Sequence, residues 1–71
     1  MPQQSIANLD LEPLLDEEPT AEILGVVPGT LSVWRSTGRY DLPYVKIGRR
    51  VKYRPKDIRA FINRRTRTHT E

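Results

Sequence analysis

"LGVVPGTLSVWRSTG", residues 24–38, sets glycine and proline where a chain would end one helix, turn, and begin another. Gly25 tolerates the left-handed backbone that closes a helix. Pro28 suits the first position of the next, since the N–H it lacks would have no intrahelical partner there. Only Val26 and Val27 separate them, so the turn is tight. Leu31 and Trp34, three apart, predict a second helix with one apolar face, stopping near Gly38. Trp34 reads as a core anchor rather than a ligand-stacking residue.

Toward the N-terminus, "LLDEEPTAEIL" (14–24) predicts the first helix. Asp16 is a suitable N-cap, Glu17 and Glu18 complement the positive end of the helix dipole, and Ala21 with Leu24 supplies the inward stripe. With Asp16 as cap, Pro19 falls at the third helical position, where it removes no intrahelical hydrogen bond. Residues 1–13 show too little pattern for an element and are expected to be a flexible tail. Two short helices around a tight glycine turn are the outline of a helix-turn-helix, whose second helix lies in the DNA major groove. Other helical hairpins share that outline.

Toward the C-terminus, "YVKIGRRVKYR" (44–54) alternates apolar and cationic residues about one glycine, the pattern of a β-hairpin. Val45, Ile47, Val51 and Tyr53 share one face only if Ile47 lies opposite Val51, which makes Gly48, Arg49 and Arg50 a three-residue loop. A two-residue Gly48–Arg49 turn would set Ile47 opposite Arg50 and mix the faces; the three-residue loop is the expected one. In either register the apolar side is expected on the helices, with Lys46, Lys52, Arg54 and the arginine tip in water. "RPKDIRAFINRR" (54–65) then predicts a closing helix with Pro55 at its first position and Ile58, Phe61 and Ile62 as its buried stripe. Residues 65–71 are expected to be a basic tail in which His69 has no metal-ligand partner, leaving 14–64 as the folded unit.

Charge is divided along the chain. The first 34 residues hold Asp10, Glu12, Asp16, Glu17, Glu18 and Glu22 and no Lys or Arg; Arg35 to Arg67 holds twelve Lys or Arg against Asp41 and Asp57. A surface meant only for solubility would mix its signs, so the basic half points to a polyanion, with nucleic acid ahead of an acidic membrane surface. The 71 residues contain no cysteine, so no disulfide or thiolate metal site supports the small core. With one His, no nucleophile paired with a base, and no phosphate-cradling glycine loop, the chain is expected to be neither an enzyme nor a cofactor binder. No run suits a membrane span or a secretion signal, so a cytoplasmic, nucleoid-associated location is expected.

Binding to double-stranded DNA divides the candidate residues into two groups. Lys46, Arg49, Arg50, Lys52 and Arg54 of the ribbon would neutralise phosphates, with Arg49 and Arg50 also suited to a narrow minor groove. On the second helix Gly29, Thr30, Ser32, Val33 and Arg35 lie off the Leu31/Trp34 face: Val33 suits a thymine methyl, Thr30 and Ser32 are permissive hydrogen bonders, and Arg35 would read guanine or hold phosphate. Arg39, just past that helix, completes the set.

The segment 14–62 resembles the small MerR-like winged helix-turn-helix domains of phage and mobile-element excisionases and their regulatory relatives. The resemblance is carried by "AEILGV", by the "TLSVWR" of the second helix, by "LPYVKIGRRVKYR" and by "DIRAFI". It implies a mainly α fold with a small β-hairpin: two helices, a two-stranded wing and a closing helix. It also implies a bacterial or phage DNA-binding architectural protein, a recombination directionality factor that binds repeated sites and directs an integrase toward excision, with copies cooperating on DNA. A transcriptional regulator of the same fold is the nearest alternative, and a protein-docking adaptor using Leu9, Leu11 and Leu14 is another. The chain departs from the family pattern at Val27, where a Ser or Thr cap is common and whose absence costs about 1 kcal/mol. It departs also at Gly29, which replaces a basic residue, and at Pro19, which replaces a capping-box Glu.

Overall fold

A computed structural model describes residues 11–68. The elements run β1 (Leu15–Asp16), α1 (Glu17–Leu24), α2 (Pro28–Thr37), β2 (Val45–Ile47), β3 (Arg50–Tyr53) and α3 (Pro55–Arg65). The fold is thus three helices and a small antiparallel sheet of three strands in the order β1-β3-β2. None of these helices is long and apolar enough to cross a membrane. The expected tail residues 1–10 and His69 lie outside the described residues.

The turn between the first two helices forms as its sequence dictates. Gly25 adopts φ 74°, its N–H reaches the Glu22 carbonyl at 3.2 Å, and the Val26 N–H reaches back to the Ala21 carbonyl at 2.9 Å. This pair of bonds satisfies carbonyls that the helix end would otherwise leave open and turns the chain sharply. Pro28 opens α2 directly after Val27, and Pro55 opens α3. Pro19 sits at the third position of α1. Asp16 holds the N-cap position of α1, but its carboxylate does not cap; the Thr20 hydroxyl instead donates to the Asp16 carbonyl at 2.8 Å.

The core consists of Ala21, Leu31, Leu42, Tyr53, Ile58 and Phe61, with Leu15, Leu24, Val26, Trp34 and Val51 packed around it. Trp34 lies 4.6 Å from the Tyr40 ring and 5.7 Å from Phe61, centroid to centroid, and so anchors α2 to α3. Thr20 is fully buried among these apolar groups, its hydroxyl already satisfied by the bond to Asp16. The expected stripe of α3 is narrower than its periodicity implies, because Ile62 is 40% exposed while Ile58 and Phe61 are buried.

Three expectations for the wing are corrected. The β2/β3 hairpin is not a sheet by itself: Leu15 pairs with Tyr53 and Asp16 with Lys52, adding β1 to the edge of β3 as a third strand. Its turn is the two-residue Gly48–Arg49, with Ile47 opposite Arg50, Lys46 opposite Val51 and Val45 opposite Lys52. Gly48 takes φ 61°, the left-handed value that lets a two-residue hairpin follow the natural twist of its strands. Residues directly opposite in an antiparallel pair share a face. Leu15, Val51 and Tyr53 therefore line the core side together with Lys46, while Asp16, Val45, Ile47, Arg50 and Lys52 share the other. The apolar residues of the two strands do not share a face, and Ile47 is left 52% exposed. The core needs only the β3 residues, so nothing forces β2 into the same phase.

Urea denaturation checks the packing of α3. Phe61→Ala is expected to cost about 3 kcal/mol or more, and Ile62→Ala less than about 1 kcal/mol. Equal losses would contradict the burial pattern.

Candidate nucleic-acid interface

On α2 the inward residues are Leu31, Trp34 and Arg35; at 100° per residue Gly29, Ser32, Val33 and Ser36 fall together on the opposite side, and all four are exposed. Thr30 lies at the edge, half-buried. The outward face is thus small and uncharged, with Ser36 and Gly29 at its centre and Val33, 55% exposed, on the side next to Thr30. Ser36 belongs to this face and was not among the sequence candidates. Its spacing of four from Ser32 and three from Val33 is the signal that would have found it. Its hydroxyl bonds the Val33 carbonyl at 3.1 Å, as does that of Thr37 at 2.9 Å.

Arg35 is placed differently from the sequence expectation. One guanidinium nitrogen donates to Glu17 Oε2 and, at 2.7 Å, to the Tyr53 hydroxyl, while the group lies 5.7 Å from the Tyr44 ring centroid. Its side chain is only 18% exposed. Partial burial opposes its charge, but the bonds to Glu17 and Tyr53 prevail and hold the guanidinium above its ordinary pKa. Burial likewise raises the Tyr53 phenol, against the lowering pull of Arg35. Glu17 and Tyr53 had no sequence signal for this role; one reads as a helix-dipole acid and the other as a strand residue.

The wing carries cations in different states of engagement. Lys52 Nζ lies 2.5 Å from Asp16 Oδ1, and Arg50 Nη1 approaches the same oxygen at 3.9 Å, holding the Asp16 carboxyl below its ordinary pKa through the Lys52 bond first. Arg54 pairs with Asp57 at 3.5 Å. Lys46 and Arg49 are exposed and have no acidic partner among the described residues. Arg39 is in the same position, its guanidinium 5.6 Å from the Tyr40 ring centroid. The turn at Gly48–Arg49 thus presents Arg49 and a loosely held Arg50 beside the exposed Ile47, with the exposed Lys46 on the other face of the hairpin.

A turn-linked helix pair with an uncharged outward face, followed by a cationic hairpin and a closing helix, agrees with the comparison of the sequence with family models. The model described as "Helix-turn-helix domain" matches residues 14–66, most of the chain. The chain belongs to the helix-turn-helix domain family. No match to a curated protein or to a solved structure was found. In this helix-turn-helix domain α1 and α2 are the two helices of the motif, and β2 and β3 form the wing. DNA is the partner that such a domain supports.

Two outcomes test the interior placement of Arg35. Arg35→Met should cost about 1–3 kcal/mol in urea unfolding, because it leaves the buried Tyr53 hydroxyl without its donor. The raised Tyr53 pKa means that the unfolded phenol, ordinary value 10.0, ionises first as pH rises. This stability contribution is therefore complete below about pH 10 and is lost as pH climbs through the folded-state value. Stability curves measured from pH 8 to 11 should show that decline, and Tyr53→Phe should remove it.

Proposed function

We propose that this helix-turn-helix domain is a DNA-binding architectural factor of the excisionase type, acting by bound geometry rather than by chemistry. The observation that carries the reading is the contrast between the two exposed surfaces: α2 offers an outward face with no charge, and the wing tip offers Lys46 and Arg49, without acidic partners among the described residues, beside an Arg50 held only loosely by Asp16. In this reading Lys46, Arg49 and Arg50 neutralise phosphates, and Ser32, Val33 and Ser36, with Thr30 at the edge, meet base edges in the major groove. Lys52 and Arg54, held by Asp16 and Asp57, hold the wing in shape more than they grip DNA. Arg35 positions α2 against the wing strand and reads no base.

A small uncharged helix face gives modest base discrimination, so affinity rests mainly on phosphates and on several copies sharing a repeated site. That division favours a protein that shapes DNA over one that finds a lone operator. Membership of a family that includes excisionase-like proteins supports the finer assignment. An integrase is the enzyme such a factor would direct.

Footprinting on the DNA that flanks the protein's own gene, repeated across salt concentrations, tests the reading. Protection of repeated sites beside an integrase gene, with excision by that integrase dependent on the protein, is the expected result. Arg49→Ala with Arg50→Ala should weaken binding to all duplexes alike and flatten the salt dependence by about 0.9 for each phosphate no longer neutralised, whereas substitutions at Ser32 or Val33 should change preference among sites. Identical behaviour of the two sets would sink the division of labour, and integrase-independent control of a promoter would sink the excisionase assignment.

A further inference from the structure

The C-terminal ends of α2 and α3 meet at a cluster that the wing does not explain. Tyr40, 38% exposed, follows the Gly38 cap of α2 closely. The guanidinium of Arg39 lies 5.6 Å from its ring centroid, and that of Arg65, from the last turn of α3, lies 5.3 Å from it. Arg65 is also 3.7 Å from the Phe61 centroid, so two rings fix its position. Arg64 donates to the Asp41 carbonyl at 2.6 Å and tethers the loop to α3. Asp41 is the one acid in contact with this corner among the described residues, and Arg64 occupies it. Neither Arg39 nor Arg65 has a carboxylate partner among the described residues.

Compensation of helix dipoles accounts for only part of this arrangement. Arg65 gives one bond to the Phe61 carbonyl at 3.3 Å, as a helix-end arginine does, and its other fork donors have no partner among the described residues. Arg39 makes no such bond. Two like charges leaning on one aromatic ring repel each other, and an anion beside them relieves that repulsion. Their planar guanidinium forks suit an oxyanion that accepts two hydrogen bonds side by side, such as a tetrahedral phosphate.

The location makes a duplex the fitting source of that phosphate. A helix of ten residues is about 15 Å long, and the major groove is about 12 Å wide, so a helix seated in the groove brings its ends close to the sugar-phosphate walls. The C-terminal end of α2 carries the negative end of the dipole and would by itself repel that wall. Arg39 and Arg65 reverse the sign there.

We propose that Arg39 and Arg65, braced on Tyr40, form a second phosphate contact to the duplex that shares no residue with the wing. This rests on the DNA-binding reading above. It makes the closing helix part of the nucleic-acid surface and fixes the tilt of α2 from its C-terminal end, while the wing fixes the protein independently.

Salt-dependent binding of the full chain to a mixed-sequence duplex tests the proposal, with thermal unfolding of each variant measured alongside. Removal of one phosphate contact lowers the slope of log affinity against log salt by about 0.9. Arg39→Gln/Arg65→Gln should therefore reduce the slope by about 0.9, and Arg39→Gln alone by a measurable part of that. The single variant keeps the test valid should the double one unfold, since Arg39 is exposed. Arg39→Lys should retain most of the slope. An unchanged slope for Arg39→Gln and the folded double variant, beside a reduced slope for Arg49→Ala, overturns this contact while leaving DNA binding intact; it is also the result expected if the corner serves an acidic protein segment instead. Absence of duplex binding by the unaltered protein overturns the underlying reading as well.

Discussion

The hydroxyl of Tyr53 is the point on which the structure turns. The residue ends β3, is 1% exposed, and would hold a costly buried polar atom without a partner. Arg35 supplies the partner from α2, and Glu17 at the start of α1 supplies the carboxylate that lets Arg35 remain charged at that depth. One guanidinium thus joins both helices of the motif to the strand that carries the wing. Each group satisfies the others: the phenol needs a donor, the guanidinium a counter-charge, and the acid a position at a helix N-terminus. The angle between α2 and the wing, on which any joint grip depends, is set by this contact and by the apolar packing around it.

The division of charge along the chain has a structural outcome different from its first appearance. Acids of the N-terminal half are consumed within the fold: Glu12 by Arg59, Asp16 by Lys52 and Arg50, Glu17 by Arg35. Glu18 and Glu22 remain without a cationic partner among the described residues. The acidic segment therefore selects which cations stay free. Lys46 and Arg49 at the wing tip, and Arg39 and Arg65 at the helix ends, lie beyond the reach of those carboxylates. A surface built by such subtraction is more sharply placed than the raw count of basic residues implies.

The features legible in the sequence are those the backbone decides locally. Gly25, Pro28, Gly38 and Pro55 each restrict φ or remove an N–H, or tolerate a φ that other residues resist, so they mark helix ends with no knowledge of the rest of the molecule. Leu31 and Trp34 reveal the inner face of α2 by spacing alone, and the same helical wheel places Ser36 on the outer one. Features that depend on distant partners are not legible. Leu15 and Asp16 are too few to show a strand period and become a strand only because Tyr53 and Lys52 lie alongside. The hairpin register expected from the pattern fails because it assumes that both strands feed one core, whereas β3 alone does so. Arg35 carries no mark that separates a DNA-facing arginine from an interior one; the distinction lies in Glu17 and Tyr53, each 18 residues away.

The pairing of β1 with β3 also bears on the order in which the molecule assembles. Contacts within the α1–turn–α2 unit join near neighbours, while Asp16 and Lys52 are separated by 36 positions. Closing so long a loop carries an entropic cost that only completed long-range packing offsets. The helical pair is accordingly the natural nucleus, and the ribbon attaches late. By the same logic β2, which gives no side chain to the core cluster, is the first part of the ribbon to loosen, while β3 stays seated through Tyr53 and the tip alone adjusts to its target.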